Sequence, residues 1–148
     1  MPDSISRQKT VAILGAGPVG LAAAAHALER GLEPIVLEAG PEAAHAVRQW
    51  SHVRMFSPWE YNVDGAAGRL LAATGWNAPA PDAYPTGGDL VDLYLEPLAT
   101  RTPIKDHLRT NSRVTAVARS GFDKLKKVLV GVAAVVATVI VVAAIMRE

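Results

Sequence analysis

The stretch that decides the fold is residues 11–38, which read VAILGAGPVGLAAAAHALERGLEPIVLE. A short apolar run, 11–14, leads into the glycine-rich turn 15–20, and the alanine-rich stretch 21–30 that follows has the composition of a helix. A second apolar run, 35–37, comes shortly afterwards. This order predicts a strand, a tight turn, a helix and a second strand, which together form a βαβ unit.

The glycines of the turn have the spacing that a dinucleotide-binding site requires. Gly15 allows the backbone to leave the strand sharply, because it has no Cβ to forbid a positive φ. Gly17 leaves room for a pyrophosphate to approach the main chain, and Gly20 lets the helix lie close to the strand. The helix N-terminus then offers N–H groups and the positive end of its dipole to the phosphates.

An acidic residue ends the second strand at the position expected for ribose recognition. Glu38 lies eighteen residues after Gly20, which predicts its carboxylate at the strand tip, where it can accept hydrogen bonds from ribose hydroxyls. The same charge would repel a 2′-phosphate, so NADP is disfavoured at this site. The candidate cofactor-binding residues of this unit are Gly15, Ala16, Gly17, Pro18, Val19, Gly20, Glu38 and Ala39.

Two other interpretations of this unit remain. The glycine-rich turn could belong to an α/β protein that binds nothing. Residues 11–28 also carry no Asp, Glu, Lys or Arg and could be read as a membrane span, but three glycines and Pro18 argue against a continuous spanning helix.

The stretch VAILGAGPVGLAAAAHALERGLEPIVLEAG resembles the N-terminal FAD-binding segment of flavoproteins with two dinucleotide-binding domains. It is most similar to the class B flavin monooxygenases and the thioredoxin-reductase-like NAD(P)/FAD-dependent oxidoreductases, over roughly residues 9–120. The resemblance implies a Rossmann-like α/β FAD/NAD(P)-binding domain, partial by the standard of the family. It also implies FAD as the cofactor, held by its AMP half, with NAD as the second choice.

The looser resemblance beyond residue 40 implies further contacts with the cofactor. Arg48 and Arg54 are candidates for the phosphates, although a solvated position on a helix is an equal alternative for Arg48. The candidates for flanking the isoalloxazine ring, with a place in the core as the favoured alternative, are Trp50, Phe56 and Trp59.

The adenine ring has a candidate contact late in the resembling segment. Residues 113–118 alternate as a strand does and would present the backbone of Val117 or, alternatively, Val114 to the adenine.

Several elements outside the unit are predicted from local patterns. A helix is expected over residues 42–50, and a short one over 69–73, so that the sequence Ala-Thr-Gly at 73–75 matches a family motif only by chance. Thr86 with Asp89 three residues later predicts a capping box that opens a helix. Pro97 is expected to kink or end that helix.

Composition limits the chemistry that this chain can perform. Its 148 residues suit one domain, and a net charge of +1 does not suggest a nucleic-acid surface. The absence of cysteine excludes a redox dithiol and a thiolate nucleophile. Four scattered histidines lack the spacing of a zinc site, so no metal is expected.

The C-terminal part of the chain departs from the resemblance. Residues 128–146 are nineteen residues without a charge or a proline, which would be about 28 Å long as a helix. They predict a single transmembrane helix that contacts membrane lipid, with a buried segment or a product of truncation or fusion as the alternatives. The predicted organisation is a lead-in at 1–9, the nucleotide domain at 10–120, a basic juxtamembrane linker at 121–127 and the span.

The lysines at 124, 126 and 127 precede the predicted span and place the nucleotide domain on the cytoplasmic side of the membrane. The sequence therefore predicts an incomplete, membrane-anchored, monooxygenase-like FAD-dependent NAD(P)H oxidoreductase domain. A partner chain would supply the missing NAD(P)H half. The alternative is a non-catalytic nucleotide-binding module or a truncated remnant, and no catalytic residue or substrate is indicated.

Overall fold

The structure is a computed structural model that describes residues 9–118. Its sheet has three parallel strands in the order β1–β2–β3. The strands are β1 (Thr10–Leu14), β2 (Glu33–Leu37) and β3 (Leu108–Arg109). The helix α1 (Pro18–Glu29) connects β1 to β2, so the predicted βαβ unit is confirmed.

The helix α1 begins three residues before the predicted start at residue 21 and ends one residue before the predicted end at residue 30. Pro18 occupies the first turn, where its missing N–H costs nothing and its fixed φ suits a helix. The helix stops at Glu29, and Gly31 turns the chain back toward the sheet with a φ of +67°. Four residues on the inner side of the helix are buried: Leu21, Ala24, Ala25 and Ala27.

Five further α-helices connect β2 to β3. They are short, and a π-helical turn (Val91–Leu95) and a 3₁₀ turn (Pro103–His107) adjoin them. The helices are α2 (His45–Arg48), α3 (Trp59–Asn62), α4 (Gly65–Ala72), α5 (Gly87–Leu90) and α6 (Glu96–Arg101).

The core lies between α1, one face of the sheet and the later helices. Ile13 of β1 and Val36 of β2 point into it, together with residues of α4, the π turn, α6 and the 3₁₀ turn. Its largest fully buried side chain is Tyr94, whose hydroxyl accepts a 3.1 Å hydrogen bond from the backbone N–H of Asp64. The buried phenol therefore keeps a hydrogen-bond partner.

Two of the predicted helix signals are confirmed. The capping box is formed, because Asp89 N–H donates to Thr86 Oγ1 and Thr86 N–H donates to the Asp89 carboxylate. The helix expected over 69–73 is α4, which begins earlier because Asp64 caps it. Thr74 therefore follows a helix, as the sequence predicts.

The helix expected over residues 42–50 is shorter than predicted. It is formed only as α2, His45–Arg48. Ala44 precedes α2 with a left-handed φ of 58°, which a continuous right-handed helix cannot include.

Pro97 does not end its helix, so that alternative is wrong. The helical path continues through α5, the π turn and α6. Proline cannot donate to the carbonyl four residues before it, which here is that of Leu93. Trp76 supplies the missing donor, since its Nε1–H lies 2.7 Å from Leu93 O. The widened turn and the indole together accommodate the proline.

The strand expected over residues 113–118 is also wrong. These residues form no strand in the described chain, and the third strand of the sheet is the short β3. Asn111 turns the backbone with a φ of 52°, and Ser112 N–H then donates to Glu38 O at 2.7 Å. The chain therefore crosses the end of β2 instead of continuing beside it.

None of the helices between residues 9 and 118 is long and apolar enough to cross a membrane. The transmembrane helix expected over 128–146 and the basic linker expected over 121–127 lie outside the described residues. Both stay predictions.

Candidate functional site

The glycine-rich turn has the geometry that its sequence predicts. Gly15 has a φ of +94°, which a residue with a Cβ rarely adopts. Its N–H donates to Leu37 O at 2.8 Å, which ties the turn to the end of β2. A Cβ on Gly20 would overlap the carbonyl oxygen of Gly15, so only glycine allows α1 to start this close to β1.

The N-terminus of α1 presents free donors. Gly17 is the N-cap and has no side chain to cap the helix. Within residues 9–118, the N–H groups of Gly17, Val19 and Gly20 donate no hydrogen bond. A Cβ built on Gly17 would meet no atom within 4 Å, so the space beside the turn is open. Free N–H groups at the positive end of a twelve-residue helix suit a phosphate.

Glu38 lies at the tip of β2 and braces the glycine-rich turn. Its Oε2 accepts a hydrogen bond of 2.7 Å from Ala16 N–H, and its Oε1 accepts one of 2.8 Å from Gly40 N–H. A carboxylate has about four lone-pair positions, so two bonds leave capacity for ribose hydroxyls. The spacing predicted the position of Glu38 but not this bracing role.

A cavity of about 200 Å³ lies at the carboxyl ends of β1 and β2. This is the end of a parallel sheet at which ligands of such folds bind. Leucines at the ends of β1 and β2, Glu38 and the segment that follows β3 line it. Its lining residues are Leu14, Gly15, Leu37, Glu38, Ala39, Ser112, Arg113 and Val114.

Backbone hydrogen bonds hold the segment 112–114 at this cavity. The backbone carbonyl of Glu38 accepts a hydrogen bond from Ser112 N–H at 2.7 Å, and that of Gly40 accepts one from Asn111 N–H at 2.8 Å. Of the two valines proposed for the adenine, the structure brings Val114 to the cavity, whereas Val117 is 57% exposed and does not line it.

Sequence reasoning missed Ser112 and Arg113 as lining residues. The signal available was the Thr-Asn-Ser turn that follows β3, since asparagine tolerates a left-handed conformation. Its contact with the end of β2 depends on residues some seventy positions earlier in the chain, which a local pattern cannot show.

Arg48 is held by carboxylates and does not line the cavity. Its guanidinium nitrogens lie 3.2 Å from Glu42, 3.4 Å from Asp92 and 2.8 Å from Glu96. The hydrogen bond to Glu96 is the main reason why the pKa of Arg48 is raised above its ordinary value. A phosphate group would have to compete with these ion pairs for the guanidinium. The contact between Arg48 and a cofactor phosphate stays a prediction.

Arg54 and the three candidate aromatic residues lie outside the cavity lining as well. Arg54 donates to Tyr84 O at 2.8 Å. Trp59 is buried in the core, and Trp50 packs against the core and directly against Gly87. Of the three aromatic residues, Phe56 is the exposed one, at 96%.

No group of three or more acidic or histidine side chains that could hold a metal ion is found in the described part of the chain.

The family model described as pyridine nucleotide-disulphide oxidoreductase matches residues 12–144. The chain belongs to this family. The 148 residues contain no cysteine, so none of them can take part in thiol–disulphide chemistry.

Several solved structures share this fold. An oxidized steroid monooxygenase bound to NADP is 23% identical, with a TM-score of 0.57, and the match covers 74% of this chain and 20% of that one. The FAD-bound form of OTEMO is 19% identical, with a TM-score of 0.55 and coverage of 75% and 20%.

A polycyclic ketone monooxygenase from the thermophilic fungus Thermothelomyces thermophila is 21% identical, with a TM-score of 0.55 and coverage of 74% and 17%. Identities at this level establish the shared fold. The chain spans about a fifth of the length of the solved structures it matches. No curated protein matched the chain.

Proposed function

We propose that the chain binds FAD through its adenine half and is the flavin-binding part of a monooxygenase-like oxidoreductase. The observation that carries this proposal is the Glu38 carboxylate, which lies at the tip of β2 beside the cavity and within 2.7 Å of the glycine-rich turn. Family membership supports the proposal, as does the shared fold with OTEMO, which was crystallised with FAD.

Each part of the cofactor has a matching group in the described residues. The pyrophosphate would lie at Gly17 and the free N–H groups of α1. The ribose hydroxyls would bind the remaining lone pairs of Glu38. The adenine would lie in the cavity, between the leucine side chains at the strand ends and the backbone of Val114.

Charge at the cavity bears on the choice between FAD and a phosphorylated nicotinamide dinucleotide. Glu38 disfavours a 2′-phosphate, whereas Arg113, which lines the same cavity, could accept one. Glu38 is hydrogen-bonded directly to the glycine-rich turn. We therefore expect the charge of Glu38 to outweigh that of Arg113 in the choice of cofactor. The position of Arg113 in the cavity lining makes NADP binding the alternative to FAD binding.

The experiment is purification of the full chain, followed by heat release and chromatographic identification of any bound flavin. We expect FAD in the wild type, or FAD uptake when apoprotein is reconstituted with it. Glu33→Gln changes an exposed carboxylate at the opposite end of β2 and is the matched control, which should retain FAD. Absence of FAD after both purification and reconstitution would overturn the proposal.

Bound flavin would supply the capacity to accept a hydride and pass on electrons. The family's nicotinamide site requires a second dinucleotide fingerprint, and this 148-residue chain carries one. We propose that the nicotinamide half lies outside these 148 residues and is supplied by a partner chain. The alternative is a non-catalytic nucleotide-binding module. A partner chain would restore NADPH oxidation in the first case and not in the second.

A further inference from the structure

The two faces of the sheet are unequally covered. Side chains alternate along a strand, and the parallel register pairs Ile13 with Val36 on one face. Both residues belong to the buried core. The register pairs Ala12 with Ile35 and Leu14 with Leu37, and these two pairs share the opposite face.

The opposite face is apolar and open. We call it the open face and define it by Ala12, Leu14, Ile35 and Leu37. Leu14 is 52% exposed and Ile35 is 39% exposed. None of the four belongs to the core or to the residues that pack against it, whereas Val11 and Leu108 on the covered face do. Parallel sheets are normally covered on both faces, so the open face requires a partner.

We propose that the apolar segment 128–146 of the same chain covers the open face. The described chain already approaches this face at its last residues. Val114 shares the cavity at the strand ends with Leu14 and Leu37, which are two of the four open-face residues. The connecting residues 119–127 span up to about 30 Å when extended, which exceeds the length of a five-residue strand.

The extent of the family match favours the sheet over a membrane. The pyridine nucleotide-disulphide oxidoreductase model matches residues 12–144, which include seventeen of the nineteen residues from 128 to 146. A segment that left the domain for a lipid bilayer would not be expected to fall within a continuous match to a family of nucleotide-binding domains, and this match begins within β1. The uncharged composition of residues 128–146 suits both a sheet face and a lipid bilayer. The extent of the family match is therefore the observation that distinguishes the two.

Cysteine labelling tests this proposal on the full chain, which has no cysteine of its own. Ile35→Cys and Phe56→Cys are made separately, and their maleimide labelling rates are compared in detergent-free buffer. Without a cover, both positions are solvent-accessible, at 39% and 96%. With residues 128–146 in place, we expect Ile35→Cys to label at least about tenfold more slowly than Phe56→Cys, because labelling then requires local opening.

A second pair of changes identifies the covering segment. Val135→Asp with Val136→Asp places two charges within it and should restore fast labelling of Ile35→Cys while leaving Phe56→Cys unchanged. A second experiment does not depend on the folding of this double variant. In a chain that carries both Ile35→Cys and Val139→Cys, a short bismaleimide should cross-link the two cysteines within one chain. Formation of this link in soluble monomer is the expected result.

Three outcomes would overturn the proposal. Equal labelling of Ile35→Cys and Phe56→Cys would show that the face is uncovered. Protection that depends on protein concentration, with cross-links between chains, would assign the face to a second copy. Retention of the full chain in vesicles after an alkaline carbonate wash, with Ile35→Cys labelled fast, would assign residues 128–146 to the membrane.

Discussion

The carboxylate of Glu38 accepts a 2.7 Å hydrogen bond from the backbone N–H of Ala16, across 22 residues of sequence. This bond joins the residue that ends β2 to the turn that follows β1. A second bond, from Gly40 N–H at 2.8 Å, holds the other oxygen. The group proposed to recognise ribose therefore also fixes the turn proposed to bind phosphate.

Replacing Glu38 should affect both stability and cofactor binding. Glu38→Ala leaves the N–H groups of Ala16 and Gly40 without their acceptor, and we expect a loss of about 1–3 kcal/mol in the free energy of unfolding. We expect the Kd for FAD to rise by about tenfold or more, because charge-assisted hydrogen bonds to ribose are lost. Urea unfolding and fluorescence titration measure the two effects.

Glu33→Ala is the control for this change, since Glu33 is an exposed carboxylate of the same strand. It should leave the affinity for FAD at the wild-type value. An unchanged Kd for FAD in Glu38→Ala would show that Glu38 does not bind the ribose, even if the protein were destabilised.

Two glycines of the turn should respond differently to alanine. In Gly20→Ala the new Cβ overlaps Gly15 O, so α1 must move away from β1, and we expect a loss of stability of about 1–3 kcal/mol. Gly17→Ala introduces a Cβ into open space at an ordinary φ of −80° and should fold normally. It should nevertheless weaken FAD binding, because that space is proposed for the pyrophosphate.

Thermal unfolding and FAD titration of both variants separate the two effects. Normal stability in Gly20→Ala would contradict the close approach of α1 and β1. Wild-type FAD affinity in a folded Gly17→Ala would place the pyrophosphate elsewhere.

Asp64 should contribute to the acid sensitivity of the fold. Burial alone would raise the pKa of Asp64, but the backbone N–H of Ala67 and the ring of His26 outweigh it and hold the pKa below its ordinary value. The carboxylate caps α4 and lies 3.0 Å from His26. Its stabilisation is fully present above the unfolded-state pKa of about 4 and is lost as pH falls through the lower folded-state value.

Asp64→Asn keeps a capping acceptor but removes the charge, so it should unfold with a smaller pH dependence below about pH 4 than the wild type. Asp64→Ala removes the cap and should cost about 0.5–2 kcal/mol at neutral pH as well. Urea midpoints measured by circular dichroism test both changes, with the exposed Asp82→Asn as control. Equal acid sensitivity in Asp64→Asn and wild type would contradict this account.

The chain alone should not oxidise NADPH at an ordinary enzymatic rate of about 1–10³ s⁻¹. It carries one dinucleotide fingerprint, which the proposal assigns to FAD, and no second one for the nicotinamide. Stopped-flow reduction of the FAD-loaded chain by NADPH is the measurement, with the FAD-free chain as control. Steady turnover within that range would show that one chain suffices.

The parts of the fold that the sequence predicted are those set by neighbouring residues. Gly15, Gly20 and Glu38 have roles that depend on spacing within one βαβ unit, and the structure places all three as expected. The capping box of Thr86 and Asp89 is similarly local. Such features follow from chain geometry over a few tens of residues.

The parts that could not be predicted depend on contacts between distant residues. The position of Val114 follows from a turn at Asn111 that bonds to the end of β2. The ion pairs of Arg48 involve Asp92 and Glu96, which lie more than forty positions later. The passage of the helix through Pro97 required an indole twenty-one positions earlier to replace the lost donor.

The most direct test of the central claim is a titration of the full chain with FAD, NAD⁺ and NADP⁺ under identical conditions, followed by calorimetry. The account predicts that FAD binds most tightly and NADP⁺ most weakly, because Glu38 repels a 2′-phosphate beside the cavity. Binding of NADP⁺ more tightly than both others, with this preference lost in Arg113→Gln, would contradict it and assign the site to a phosphorylated nicotinamide dinucleotide.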